Sequence, residues 1–273
     1  MFKIKWAVIN SALLLSLVSC VQLDQVEQVE QEVVKTDQTD NQKGEWISLF
    51  NGKDLSGWHI KFTDHPLDEN YLDTFGVKDG KLIVSYDNYQ NFDDKFGHIF
   101  YQKPFSSYIL KLEYRFIGEQ VNGGPEWAYR NNGIMFHSQS PSSMAIEQSF
   151  PRSIEVQLLG GTQGQTRTTG NVCTPETNIV VNGQLRTEHC ILSTSKTYPG
   201  DQWVQAEIEV HGGEKVIHRI NGEVVFEYQK TQYEPKSEYA LGLSDLIIDE
   251  GYIALQAESH PTEFRNIMIK PLD

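Results

Sequence analysis

Residues 203–228 read WVQAEIEVHGGEKVIHRINGEVVFEY, and this stretch decides the fold. Val204, Ala206, Ile208 and Val210 alternate with Gln205, Glu207 and Glu209. A period of two sends one set into a core and the other into water, which is the pattern of a half-buried antiparallel strand. Asn221-Gly222 then separates two strand-like runs, 215–220 and 223–228. Both turn residues tolerate the positive φ of a type I′ turn, so the runs are predicted to form a tight hairpin. Upstream, 108–116 alternates in the same way, with Tyr108, Leu110, Leu112, Tyr114 and Phe116 on one parity and mostly charged residues on the other. Further strands are predicted at 81–86, 97–102, 133–137, 154–158, 252–256 and 263–269. No helix longer than three turns and no internal repeat is predicted. Many short strands separated by Gly and Asn turns specify an all-β sandwich or jelly roll.

The N-terminus has a different character. Lys3 and Lys5 precede the apolar run Ala12-Leu13-Leu14-Leu15, and Leu17-Val18-Ser19-Cys20 follows. A charged start, a short apolar stretch and a small residue before the cut predict a secretory signal over 1–19, too short to span a bilayer. The tetrapeptide resembles a bacterial lipobox, in which Cys20 becomes the lipidated first residue; the alternative is a plain signal peptide that happens to hold a cysteine. Residues 20–44, rich in Gln, Glu and Asp and poor in aromatics, read as a solvated tether. Residues 45–273 then form one domain. The chain is thus expected in the bacterial cell envelope, anchored to a membrane by lipid, in the periplasm or at the cell surface. With Cys20 set aside, Cys173 and Cys190 are the natural disulfide pair of an oxidising compartment. That bridge would close a loop of about 17 residues and stabilise by roughly 3 kcal/mol on the chain-entropy model. The formal charge of −14 disfavours phosphate backbones, so nucleic acid is not an expected partner.

At Leu49-Phe50-Asn51-Gly52-Lys53-Asp54-Leu55-Ser56-Gly57-Trp58 the sequence resembles the opening motif of the 3-keto-disaccharide hydrolase domain family. Four more segments fit in order: Asn131-Asn132-Gly133-Ile134, Ile154-Glu155-Val156-Gln157-Leu158, Gly200-Asp201-Gln202-Trp203, and Tyr252-Ile253-Ala254-Leu255-Gln256 running on to Glu263-Phe264-Arg265-Asn266-Ile267. The resemblance implies a concanavalin A-like β-sandwich that cleaves glycosides oxidised to a ketone at carbon 3. It implies a carbohydrate partner, an oxidised glycoside. The chain departs from the family pattern at Asn132, where Ser is usual, at His137, where many members carry Arg, and at Gly160, where an acid is common.

A carbonyl at carbon 3 acidifies the proton on carbon 2. Removing that proton expels the group on carbon 1 through an enolate, and hydration of the enone completes a net hydrolysis. Such a route needs a base, a donor for the enolate oxygen and a proton for the departing oxygen. Glu155 and Gln157, two apart on a strand, face the same way about 7 Å apart, with Ile154, Val156 and Leu158 supplying the core parity. A carboxylate beside an amide suits a base and a sugar-hydroxyl ligand; a solvated strand face is the alternative. Gln256 and Glu258 share one parity as substrate or metal ligands. His260 follows as an acid–base group or ligand, or as an ordinary loop histidine. Arg130 suits a ketone or enolate oxygen because its charge is permanent and its donors form a fixed fork, with a strand-edge salt bridge as the alternative. Asn132 and His137 beside it are expected substrate contacts, as is Trp127, which could stack on a sugar ring or plug a gap. The catalytic set expected is therefore Glu155, His260 and Arg130. The second acid on one strand that retaining glucanases use is missing, since Gln157 and Leu159 follow Glu155, so cleavage of unoxidised β-glucan is disfavoured. The other histidines, His98 among them, show no metal-ligand spacing and read as surface or structural. No cofactor is required by the sequence, although a divalent cation is compatible with the carboxylates, amides and imidazoles present. A non-catalytic, lectin-like carbohydrate-binding lipoprotein is the competing reading.

Overall fold

A computed structural model describes residues 44–272. The expected signal, Cys20 and nearly all of the expected tether lie outside the described residues. Seventeen strands and four three-residue 3₁₀ turns make up the regular structure. The first five strands are β1 (Ile47–Ser48), β2 (Trp58–Phe62), β3 (Phe75–Lys78), β4 (Lys81–Val84) and β5 (Gly97–Tyr101). The long β6 (Ser107–Phe116) precedes β7 (Asn131–Ser138), β8 (Ile154–Leu159) and β9 (Asn171–Cys173). Then come β10 (Thr177–Val181), β11 (Gln184–Arg186), β12 (Cys190–Ile191), β13 (Val204–His211) and β14 (Lys215–Ile220). The chain closes with β15 (Glu223–Tyr233), β16 (Tyr252–Ala257) and β17 (Thr262–Pro271).

These strands form two sheets whose ladders are antiparallel throughout. The larger runs β11-β10-β15-β14-β13-β6-β17-β4-β3, with β1 on β17, and the smaller runs β12-β9-β8-β7-β16-β5-β2. Alternation assigns the inner faces. Tyr108, Leu110, Leu112, Tyr114 and Phe116 of β6 and Val204, Ala206, Ile208 and Val210 of β13 pack in one core with Ile154, Val156 and Leu158 of β8 and Ile134, Phe136 and Leu255 of the smaller sheet. The predicted hairpin is present, with Asn221 at φ 50° and Gly222 at φ 84°, the left-handed pair that a type I′ turn requires.

Cys173 and Cys190 are bonded and pair directly across β9 and β12, with Cα atoms 4.1 Å apart. The segment between them is more than a stapled loop, because its hairpin β10–β11 adds two strands to the larger sheet. The bridge therefore ties the two outermost strands at one edge of the smaller sheet and closes a loop that lends two strands to the other sheet.

The outer face of the smaller sheet is covered rather than solvated. Residues 139–153 fold across it, held by reciprocal amide bonds between Gln139 and Gln148 and by Gln139 Oε1 accepting from the Arg152 N–H. Met144 from this segment packs with Phe100, Met135 and Ala254 in a second small core. Lys61 of β2 is buried and ties the segment down, its ammonium donating to the carbonyls of Phe62 and Ile146 at 2.7 and 3.0 Å.

Candidate functional site

The register of the smaller sheet lines up one polar row on this covered face. Lys61 lies opposite His98, His98 opposite Gln256, and beyond the glycine at 133 Gln157 lies opposite Asn171. Gly133 gives the row its floor. A Cβ placed there would lie 2.4 Å from Gln256 Oε1, 2.6 Å from Glu155 Oε1 and 2.8 Å from Glu155 Cγ. The missing side chain is thus the space into which a carboxylate from β8 and an amide from β16 converge.

Polar groups in this region lack protein partners. Both amide atoms of Gln256, both ring nitrogens of His98 and of His260, Oε2 of Glu258 and Oδ1 of Asn131 are buried without a hydrogen bond. Each such atom costs about 1–3 kcal/mol when left unmade. Half of the unpartnered buried polar atoms among the described residues, those of Gln256, His98, Glu258 and Asn131, belong to this face, which marks a place built to receive a ligand or water rather than a packed core. Burial lifts the Glu155 carboxyl well above the usual carboxylate range, and the neighbouring Glu258 charge lifts it further. Burial raises Glu258 in the same direction. Among the described residues no cation neutralises either carboxyl, so the pair holds on to protons at neutral pH. Desolvation does the opposite to the imidazoles, taking His98 down to about 3 and His260 down to about 4. Both rings are therefore neutral at pH 7.

The bend between β16 and β17 is held by its surroundings. Ser259, at φ 89°, receives a hydrogen bond on its carbonyl from Val121 N–H and gives its own N–H to Tyr86 Oη. That kink turns His260 away from the row, into the end of the sandwich, where its ring meets Phe116 at 5.6 Å and Tyr129 at 5.2 Å edge-on. The Arg130 charge also depresses it.

The expected site residues separate accordingly. Glu155, Gln256 and Glu258 share the buried face. Gln157 lies on the same face, half-buried, with its Oε1 accepting from Asn171 at 3.0 Å. Arg130 is committed elsewhere: its guanidinium donates to Gly200 O, Asp201 Oδ1 and Tyr129 Oη, the strand-edge clamp rather than a free oxyanion donor. Asn132 does not face the row. It lies on the core parity, fully buried, with Nδ2 donating to Gln256 O and Oδ1 accepting from the Gly133 and Gln256 N–H groups. His137 is likewise absent from the site. At φ 46° it breaks the alternation, and its Nε2 bonds Gly212 O at the other sheet. Trp127 stands 53% exposed at the rim. His98 and Asn131 belong to the site instead. The parity opposite Ile99 points to His98, and the parity of Gly133 points to Asn131. Among the described residues no three His, Cys, Asp or Glu side chains converge to hold a metal ion.

An all-antiparallel two-sheet sandwich with this buried polar face places the chain in the concanavalin A-like class of β-sandwiches. The chain belongs to the 3-keto-alpha-glucoside-1,2-lyase-like domain family, whose profile matches residues 45–270. Membership gives it a carbohydrate-directed function, of the glycosidase-like or carbohydrate-binding kind. No curated protein sequence matches the chain significantly. A candidate glycosyl hydrolase from Parabacteroides distasonis shares the fold at a TM-score of 0.50 and 17% identity, over 84% of this chain and all of that one. A second candidate glycosyl hydrolase from the same species has a TM-score of 0.48 at 21% identity, covering 84% of this chain and 94% of that one. A carbohydrate-binding module, CBM66 from Bacillus subtilis, has a TM-score of 0.40 at 11% identity, covering 84% of this chain and 97% of that one.

Proposed function

We propose that this chain is an exported, lipid-anchored enzyme that cleaves the glycosidic bond of a 3-keto-glycoside by elimination across carbons 1 and 2, followed by hydration. The observation that carries the reading is the uncompensated carboxyl pair, Glu155 and Glu258, buried beside the unpartnered amide of Gln256 above Gly133. A buried acid kept neutral is a hydrogen-bond donor at pH 7, as in other enzymes that form enolates. Glu155, which converges with the Gln256 amide over Gly133, and the Gln256 Nε2–H are the donors to the enolate oxygen. Glu258 is the base. In its ionised form it takes the proton from carbon 2, and the C2–H electron pair becomes the C2=C3 bond of the enolate. The enolate then collapses: the C1–O bond breaks, a C1=C2 bond forms, and the proton on Glu258 passes to the departing oxygen. Water added across the enone restores a 3-keto sugar. Enclosure by residues 139–153 strengthens each of these interactions by excluding water. This assignment moves the base from Glu155 to Glu258 and leaves Arg130 as an anchor of the 200–201 turn.

The test is turnover of 3-keto-trehalose and 3-keto-glucosides by the full-length protein, with the unoxidised sugars as controls. Loss of about 10²–10⁴-fold in kcat is expected for Glu155→Gln and for Glu258→Gln, the range for a positioned acid or base. Hydrolysis of the unoxidised sugars at a comparable rate would contradict the mechanism.

A lectin-like reading draws on one feature, the exposed ring of Trp127 beside an open cleft. It predicts saturable binding to plain glycans without turnover of any oxidised one.

A further inference from the structure

Ser259 stands in a conformation that serine does not adopt by itself. Its φ of 89° lies beyond the left-handed helical well, where a residue with a side chain is strained and stays only if its surroundings enforce it. Three contacts do so, one on each polar atom. The N–H donates to Tyr86 Oη at 2.7 Å, the carbonyl accepts from Val121 N–H at 2.9 Å, and Oγ accepts from Gln120 Nε2 at 2.8 Å. Val121 and Gln120 belong to one loop, and Gly124 lets that loop close in, since a Cβ there would stand 2.6 Å from Ser259 Oγ. Tyr86 comes from the other sheet, two residues beyond the end of β4. It is buried, and its ring is held edge-on by Tyr89 at 5.0 Å and Phe92 at 6.1 Å.

The bend matters for the residue before it. The ladder between β16 and β5 ends at the pair Ala257 and Gly97, so Glu258 lies one residue beyond the last paired position. Strand pairing therefore does not fix its backbone. What does is the next peptide, whose N–H is the one that Tyr86 Oη accepts. That hydrogen bond sets the plane joining Glu258 to Ser259, and with it the direction in which the Glu258 side chain leaves the chain. Catalytic geometry of this kind has to be held by surrounding hydrogen bonds, because a misplacement near 1 Å costs about 10²-fold in rate.

We infer that Tyr86 is a positioning residue: through the peptide between Glu258 and Ser259, its hydroxyl keeps the Glu258 carboxyl on the face it shares with Glu155 and Gln256. The inference rests on Glu258 as the proposed base for its kinetic test and stands apart from that reading in its spectroscopic one. The spectroscopic test follows the carboxyl carbon NMR signal of Glu258 through pH, in full-length protein carrying isotope-labelled glutamate, with the signal assigned by its loss in Glu258→Gln. Glu155 and Tyr86 are the titratable groups whose charges bear on Glu258, and neither is a cation. Burial on that face therefore keeps the Glu258 proton on well above the ordinary carboxylate range. In Tyr86→Phe, which retains the ring and its packing, the released carboxyl should titrate closer to that ordinary range. Adding Ser259→Gly should return the midpoint toward the wild-type one, because glycine takes a φ of 89° without a Cβ penalty and needs no hydroxyl to hold it there. A midpoint that stays in place or rises in Tyr86→Phe overturns the inference, and so does one that the glycine leaves unrestored. The kinetic test is turnover of 3-keto-trehalose. Tyr86→Phe should lower kcat about 10²-fold with KM unchanged, and the double variant should regain about tenfold. An unaltered kcat, or a loss carried by KM, overturns the inference. A wild type that turns over no oxidised sugar removes the elimination reading, while the shift in titration still upholds Tyr86 as the residue that positions Glu258.

Discussion

Gly133→Ala is the substitution whose consequence the geometry defines most closely. The new methyl would stand 2.4 Å from Gln256 Oε1 and 2.6 Å from Glu155 Oε1, well inside contact distance. The backbone does not forbid it, because Gly133 is not among the residues with positive φ. The atoms in the way are ends of side chains, so they yield rather than the strand. Each must move by upwards of half an ångström into a face already closed by residues 139–153. Overpacking of this size costs about 1–3 kcal/mol, of which off-rotamer side chains account for about 0.5–1.5 kcal/mol each. For a domain of this length that is a fall in Tm of a few degrees. Activity should suffer far more, since the two groups displaced are the proposed enolate donors and a misplacement near 1 Å costs about 10²-fold. Thermal denaturation and kcat/KM on a 3-keto-disaccharide, measured on the same preparation, separate the two effects. A variant with unaltered Tm and full activity would show that Glu155 and Gln256 do not converge over Gly133, and the reasoning would be wrong.

Three further outcomes are expected. In the folded state the buried pair Glu155 and Glu258 keeps protons that the unfolded chain releases near pH 4.5, so stability should decline as pH rises above that value, by up to about 1.4 kcal/mol per pH unit for each proton held. Urea denaturation at pH 6 and pH 9 should show this decline in wild type and a flatter profile in the Glu155→Gln, Glu258→Gln double variant; a wild-type profile without slope would refute it. His218 behaves in the opposite sense: buried between Gly170 O and Tyr228 Oη, it is held neutral down to about 4, so stability tied to it is present above pH 6.5 and lost as pH falls toward 4. His218→Gln should remove about one proton from acid-unfolding linkage, which potentiometric or urea titration over that window measures. Replacing both Cys173 and Cys190 by Ala should cost roughly 3 kcal/mol in equilibrium denaturation, the entropy of a 17-residue loop, and a cost near zero would mean that the β9–β12 pairing holds without the bridge.

The sandwich was legible because its central strands bury one face only. In 108–116 and 204–210 the alternation is unbroken, and the Asn221-Gly222 turn allows little else. Strands of the covered sheet were harder to read. With both faces buried, β7 shows no alternation of burial at all, and it begins at Asn131, two residues before the predicted strand, although Asn is a poor strand former. Asn132, singled out by the family motif, lies on the core parity instead, where its amide serves the backbone of β16. Parity failed again at His137, where a left-handed residue and a register shift between β7 and β16 reverse the side chain. Glu155, Gln256 and Glu258 were recoverable from parity within their own strands. Parity opposite Ile99 points to His98 as well, but its place between Lys61 and Gln256 comes only from the register with β2 and β16, far away in sequence.

The most direct test of the proposed chemistry follows the proton on carbon 2. The full-length protein is given a 3-keto-disaccharide carrying deuterium at that carbon, and release of the leaving sugar is timed against the protiated compound. Elimination with Glu258 as base predicts slower release of the deuterated substrate, and replacement of the label by solvent hydrogen in the recovered product. Equal rates with the label wholly retained at carbon 2 would contradict elimination, because direct displacement at carbon 1 leaves that bond intact.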